Sequence, residues 1–429
     1  MRAHRGEGLP VPSSWQPQDA SLGVTVIGAG IVGASAALHL QRAGFDVRLI
    51  DACGPGEGCS YGNAGGISPG SIVPAATPGL LAKVPKWLMD PDGPLSVQWS
   101  YFPHAVPWLV RWIREGRMDR LKRNSAALVA LNGQPFEGYR ELLTASQFDD
   151  LMRVSGHLFA WRSPKPMDGI ARELRERAGI AMQFLNEAEL REMEPAVSPL
   201  YRSGLLLPGN GFTVNPERLV KTIAQNLVAA GGTVLRRRVL GFDCGPDGPR
   251  MLYTDCGTLP VERVVIAAGA WSTKLAAELG VKVPLAPERG YHVMADAPGV
   301  RLRMPVLDAE RRFMVTPMER GLCVAGTVEI ADVDAPANYA RSARLWEQAK
   351  RLLPGLPEMG STQWMGMRPS MPDSLPIIDQ HRTFRNVFFA FGHGHLGMTG
   401  APRSGRLVAE LVAGRTPSID MQPFKVDRF

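Results

Sequence analysis

Cysteine is scarce in this chain. There are five in 429 residues (Cys53, Cys59, Cys244, Cys256 and Cys323), and none form a C-x-x-C pair. An odd count at such spacing argues against a disulfide framework and a zinc site, and it points to a reducing compartment, the cytoplasm. No stretch approaches the ~18 consecutive apolar residues that a membrane-spanning helix needs. Residues 1–21 lack the apolar core of a secretory signal and read as a loose leader. Lysine is rare, supplying nine of the 48 basic residues, and the net charge of +7 is spread over a long chain. The longest basic run, Arg236-Arg237-Arg238, has no interleaved aromatics. It reads as a solvated strand end, which leaves nucleic acid out as a partner. The 46 glycines and 36 prolines follow no period, so a collagen-like or coiled-coil rod is excluded. Apolar content of 45% and charged content of 21% are globular, and the length suits two or three domains.

The first periodic element is Gly23–Ile27, a short β-branched run typical of a buried strand. Gly28-x-Gly30-x-x-Gly33 follows at once. A run of good helix formers then ends at Gly44, and a second strand over 46–50 closes at Asp51. This is a complete strand–helix–strand unit with a dinucleotide fingerprint. Gly28 permits the tight turn, Gly30 removes the side chain that would block a pyrophosphate, and Gly33 lets helix and strand pack closely. Ile31 and Val32 open the helix whose N-terminus meets the phosphates. Asp51, followed by Ala52 and Cys53, ends the second strand where ribose hydroxyls would lie. The fingerprint alone does not separate NAD from FAD. The segment Ser60-Tyr61-Gly62-Asn63-Ala64-Gly65-Gly66-Ile67 is small and backbone-rich, suited to lie against a flat ring; on composition it fits a surface loop equally well.

Further along, residues 74–114 are rich in proline and aromatics, and residues 117–147 have helical spacing. The sequence predicts a helix over 216–230, a strand over 233–240, a hairpin pairing 251–254 with 262–267, and antiparallel strands over 290–328. A helix over 341–353 and a final strand–turn–helix from 387 to 414 close the chain.

Taken together, these segments resemble the FAD-dependent D-amino-acid dehydrogenases, within the D-amino-acid oxidase/glycine oxidase superfamily. The likeness runs from about Gly23 to Gly414. It rests on the fingerprint, on Val264-Val-Ile-Ala-Ala-Gly-Ala-Trp271, on Gly366-Met-Arg368-Pro-Ser-Met-Pro-Asp373, and on Gly392-His-Gly-His-Leu-Gly-Met-Thr399. The resemblance implies an α/β fold: an FAD-binding Rossmann-like domain from residues 22–76, 208–285 and 361–429, and a substrate domain with a mixed or antiparallel sheet and helices from 77–207 and 286–360. It implies FAD contacts from 60–67, Val239, Ala268, Gly269 and Trp271. It adds Gly394, His395, Leu396, Gly397, Met398 and Thr399, at a helix start beside the flavin pyrimidine edge, where N–H groups and the helix dipole favour the reduced anion. No metal is implied.

The resemblance also places Arg368 on the substrate carboxylate, a role its forked guanidinium suits. Tyr291 falls in a segment near the substrate; a core tyrosine is the other reading. His393 and His395 are placed to hydrogen-bond flavin or substrate, or to be structural histidines. Family members more often have Lys-Gly-Tyr in the Glu288–His292 segment, so Arg289 and His292 depart from the pattern that sets substrate preference; they commonly have threonine where His395 stands, which makes the hydroxy-D-proline dehydrogenase subclass a candidate. The implied reaction is hydride transfer from Cα of a D-amino or cyclic D-imino acid to flavin N5, with electrons passed to a quinone or redox protein. The enzyme would be cytoplasmic, with peripheral contact on the inner membrane through the aromatic stretch as a further option. Three rival readings are an oxygen-using sarcosine- or glycine-oxidase-like enzyme, an NAD-dependent dehydrogenase and a non-catalytic flavin-binding subunit.

Overall fold

The computed structural model describes residues 23–429 apart from 80–83, 85, 86, 89, 91, 92, 94 and 165–168. The leader read over 1–21 lies outside the described residues. Among the described residues two large sheets dominate. The first has six strands. Five are parallel, in the order Thr233–Arg236, Asp46–Asp51, Gly23–Ile27, Arg263–Ile266, Val387–Phe391, and Ile377–Gln380 joins antiparallel at one side. The central strands are buried on both faces and carry β-branched or aromatic residues at nearly every position, as parallel strands covered by helices do.

The second sheet is mixed. Thr362–Ser370, Ala286–Ala295, Gly321–Ile330, Phe313–Met318 and Val306–Asp308 are successively antiparallel, and the sheet continues through His157–Trp161, Ser203–Leu207 and Gln183–Leu185. Helix Ala340–Leu352 covers one face and buries Leu345, Ala349 and Leu352 there, with Leu353 just beyond its end. The α/β class with a parallel cofactor-type sheet and a mixed second sheet is as the sequence indicated.

Several local expectations change. The pairing of 251–254 with 262–267 does not form. Gly248–Thr254 pairs with Gly257–Pro260, while Arg263–Ile266 lies between Gly23–Ile27 and Val387–Phe391. The run 117–147 breaks into Met118–Asn132, Pro135–Leu142 and Ala145–Leu151. Pro135 starts the second helix, and Thr144 caps the third with a reciprocal Gln147 capping box. The strand expected over 233–240 divides between two sheets: Thr233–Arg236 pairs with Asp46–Asp51, the Arg237 N–H to the Asp51 carbonyl being the last rung, and Val239–Gly245 pairs with Gly248–Thr254. Residues 362–370, expected with the third cofactor-binding segment, belong to the mixed sheet. Trp108 and Trp112 are buried and stacked on each other, so these rings of the aromatic stretch are core; Trp99 is 77% exposed. Among the described residues no helix is long and apolar enough to cross a membrane.

Helices Ile31–Arg42 and Gly397–Val412 lie against each other on the parallel sheet. A side chain at Gly405 would meet the Ser35 and Ala36 backbone within 3 Å. The second helix contains Pro402, which has no N–H for the carbonyl four residues earlier. That orphan is the Met398 carbonyl, and the buried Tyr139 hydroxyl donates to it at 2.5 Å. Tyr139→Phe should therefore cost about 1–3 kcal/mol, the penalty of a buried unsatisfied acceptor. A thermal unfolding midpoint unchanged from wild type would show that the carbonyl is satisfied in another way.

Candidate active site

Five parallel strands end at one edge, so the turns that follow them meet there. These are Gly28–Gly30, Asp51–Cys53, Arg237–Val239, Ala267–Trp271 and Gly392–Leu396. Ligands of open parallel sheets sit at such a carboxyl edge. At Gly33 an added Cβ would lie 1.8 Å from the Gly28 carbonyl oxygen, so only glycine lets helix Ile31–Arg42 close on its turn. Gly28 has φ +108° and lies against the Ala267 carbonyl. At Gly30 the nearest group a Cβ would meet is the Ser60 hydroxyl, at 3.5 Å, which leaves that surface bare for a ligand. The helix has no acidic residue in its first turn and no side-chain cap from Gly30. Ser60 accepts the Ile31 N–H at 3.1 Å. The remaining helix-start N–H groups suit a pyrophosphate.

Asp51 shapes the same edge. One carboxylate oxygen accepts the Ala29 N–H at 2.7 Å and the other the Cys53 N–H at 2.8 Å. Two such bonds leave acceptor capacity for ribose hydroxyls. Burial raises the pKa of this carboxyl, with the two N–H donors opposing. In the segment that follows, Asn63 accepts the Gly65 N–H, and Gly66–Ile67 pairs with Gly211–Thr213. Helix Gly397–Val412 likewise begins without an acid or a side-chain cap, after the 3-10 turn Gly394–Leu396. Ser68 donates its N–H to the Thr399 hydroxyl, tying the 60–68 segment to this helix start. A bare glycine surface, two helix starts with no acid in their first turn and a ribose-ready carboxylate fit an FAD molecule. Val239, half-buried, begins the strand after the Arg237 turn, and Trp271 stands 44% exposed after Gly269.

The mixed sheet meets this edge through a backbone bridge between Ser370 and His393. Alternate residues of Ala286–Ala295 point to opposite faces. Glu288, Gly290 and His292 share one face with their register partners Arg368, Gly366 and Trp364. That face looks toward residues 59–62. The His292 ring meets the Gly62 carbonyl at 3.0 Å and stacks on Trp364, and Trp364 lies over Gly62 so closely that no side chain fits there. Tyr61 tilts against both rings.

Arg368 is half-buried on this face. Its guanidinium lies across Gly290, where an added Cβ would be 2.3 Å from the central carbon, and it donates to the Thr327 carbonyl at 3.2 Å. Thr327 has φ +54°, an uncommon conformation for a β-branched residue, and sits in a bulge opposite Gly290. A trough of glycine, closed by a strained carbonyl, thus fixes the arginine and uses one of its five N–H donors. His395 opens onto the same space. The His395 side chain keeps exposed surface, and desolvation together with the charges of Arg368 and Arg312 lowers its pKa from the ordinary imidazole value. Burial pushes the nearby Cys59 thiol up, against the pull of Arg368.

Two expected site residues are not on this face. Tyr291 points to the other side of the sheet, where its hydroxyl donates to Glu329 at 2.6 Å and accepts the Asn338 N–H at 3.0 Å. Its neighbour by alternation, Arg289, is buried there on the carbonyls of Asp332, Ala335 and Pro336. Tyr291 is thus a core tyrosine. The His393 side chain is buried, bonded to the Ser404 hydroxyl at 2.8 Å, and pushed down to about 3 by burial; it braces the helix start. Asp373 of the same motif as Arg368 is also structural, held by Arg428 at 2.7 Å. The residues not anticipated are Glu288, Gly290, Thr327 and Trp364. The spacing Glu288-x-Gly290-x-His292 carried a signal, since a strand places all three on one face.

The model of the family described as FAD dependent oxidoreductase matches residues 23–411. The chain is 37% identical over 414 residues to a D-amino-acid oxidase of Bradyrhizobium diazoefficiens, covering 95% of this chain and 98% of that one. It is 33% identical over 426 residues to a D-amino acid dehydrogenase of Paramagnetospirillum magneticum, again covering 95% and 98%. In fold it is similar to glycine oxidase from Geobacillus kaustophilus (TM-score 0.71, 24% identity, 95% and 99% covered) and to L-proline dehydrogenase from P. horikoshii (TM-score 0.73, 19% identity, 95% and 98% covered). With its bare glycine turn, its two helix starts free of acidic residues and this match over most of its length, the chain belongs to the FAD-dependent oxidoreductases of the D-amino-acid oxidase family.

Proposed function

We propose that the protein oxidises a D-α-amino acid or a cyclic D-imino acid, such as D-proline or hydroxy-D-proline, to the corresponding imine. The observation that carries this reading is the Arg368 guanidinium, laid in the Gly290 trough beside the edge that the glycine turns build. A fixed guanidinium holds a carboxylate in one orientation, and a substrate pinned by its carboxylate presents its Cα–H in one direction. The curated relatives named for D-amino acids support the choice of substrate class. FAD, when bound, supplies the two-electron oxidant that accepts the hydride from Cα. The residues that would hold it are the Gly28–Gly33 turn, Asp51, the 60–67 segment, the Val239 and Ala268–Trp271 turns, and the backbone of Gly394–Thr399. The N–H groups of that last turn favour added negative charge. His395, its pKa lowered, contributes a polar edge with little charge to compete for the substrate carboxylate.

The electrons then leave to a quinone or a redox protein. The G-x-G-x-x-G spelling occurs at residues 28–33 and again at 392–397, but only the first is followed by a second parallel strand that ends in an acid, Asp51; one such strand–helix–strand unit supports an acceptor other than NAD. An oxygen-using enzyme is the second reading, favoured by the oxidase name of one relative. Peroxide released stoichiometrically with substrate consumed would select it.

Anaerobic bleaching of the purified yellow enzyme by D-amino acids, D-proline, hydroxy-D-proline, sarcosine and glycine tests the reading directly. Arg368→Ala should raise KM by about 30- to 160-fold, the equivalent of ~2–3 kcal/mol for a charged hydrogen-bonded contact, with flavin still bound. Gly290→Ala, whose methyl would occupy the guanidinium's place, should raise KM in the same direction. An unchanged KM in both variants would remove the carboxylate from this position.

A further inference from the structure

Glu288 is the carboxylate on the Arg368 face that the reaction above leaves idle. It stands opposite Arg368 in the antiparallel register, so the two side chains leave the sheet next to each other. Ser370, two residues along and on the same face, hydrogen-bonds to it. The Arg368 guanidinium turns away across Gly290 toward Thr327. The result is a fixed anion and a fixed cation side by side on one wall, half-buried, facing the carboxyl edge of the parallel sheet. An α-amino acid at neutral pH is a zwitterion with the complementary pair of charges on neighbouring substituents of one carbon, Cα.

We propose that Glu288 receives the substrate ammonium and takes its proton, while Arg368 holds the carboxylate. This rests on the amino-acid oxidation proposed above. In the step, one ammonium N–H bond breaks and an O–H bond forms on the Glu288 carboxylate. The electron pair freed on nitrogen becomes the second bond of C=N as the Cα–H leaves as hydride to FAD, the oxidant. Without that proton transfer the nitrogen has no pair to give.

The surroundings suit a base. Burial raises the Glu288 carboxyl above the usual carboxylate range, with the Ser370 hydrogen bond and the Arg368 charge opposing. That brings its proton affinity closer to the amine's, which improves general-base action at neutral pH. The charged and polar groups acting on it are Arg368 and Ser370 on the adjacent strand, and the Arg368 charge in turn reaches His395, on the turn after Val387–Phe391, and the Cys59 thiol. Arg312 adds positive charge on the His395 side.

The test uses the FAD-loaded enzyme and its Glu288→Gln and Glu288→Asp variants, with D-alanine, D-proline, D-lysine and D-arginine, across neutral to alkaline pH. For Glu288→Gln, anaerobic flavin bleaching should slow at least about 100-fold at neutral pH. It should recover about tenfold per pH unit as the free amine appears in solution. Glu288→Asp should keep part of the wild-type profile. Binding provides a readout apart from turnover. Propionate, a carboxylate without an amine, should perturb the flavin spectrum of Glu288→Gln as it does the wild type, while binding of the zwitterion weakens. Coincident pH profiles for wild type and both variants would overturn the proposal. Equal loss of propionate binding would also overturn it, since Glu288 would then merely support Arg368. So would a loss confined to D-lysine and D-arginine, which would place a cationic side chain on Glu288. Should the Gln variant not fold, the Asp profile decides alone. A wild-type enzyme that no amino acid bleaches would fail the reading of the reaction itself, a result distinct from these.

Discussion

A backbone bridge between Ser370 and His393 ties the two halves of the site together. On one side of it lies the carboxyl edge of the parallel sheet, with its glycine turns. On the other lies the edge strand of the mixed sheet, with Arg368. Neither sheet alone has both a place for a flavin and a charged anchor for a substrate. Trp108 reinforces the junction by donating its indole N–H to the Ser370 carbonyl at 3.3 Å, and the buried His393 side chain props the turn on Ser404. The histidine therefore matters for where its backbone is held, not for what its ring touches.

On the mixed sheet, specificity of position comes from what is missing. Gly290 has no side chain, so the Arg368 guanidinium can lie flat on the strand next to its own. Gly62 and Gly366 are bare in the same way, and Trp364 fills that space. Thr327, held at φ +54°, aims its carbonyl at the arginine. Uncommon backbone of this kind persists where surrounding structure enforces it, and it often accompanies function.

The first strand–helix–strand unit was legible because all of its signals are local: β-branched runs, glycines at set spacing and an acid at the second strand's end. The final strand–turn–helix was legible for the same reason. The hairpin expected over 251–267 was not, because the partners of Arg263–Ile266 lie more than a hundred residues away on both sides and no local pattern reports them. Tyr291 was misplaced by one residue of parity. The alternation of Ala286–Ala295 is visible in the sequence, but which face meets the substrate depends on helix Ala340–Leu352 covering the other. Likewise the helical spacing of 117–147 was real, yet Pro135 and Thr144 broke it into three.

The interleaving of the two sheets has a consequence for how the protein is made. Strand Gly23–Ile27 lacks its neighbour on one side until residues 263–266 exist, and the second acid-free helix start begins only at residue 397. Contacts of such long sequence separation form slowly, because the chain must close large loops before they are rewarded. A nascent chain emerging from the ribosome thus presents an exposed, apolar parallel strand for most of its synthesis. Capture of the dinucleotide comes late, once nearly the whole polypeptide is available to surround it.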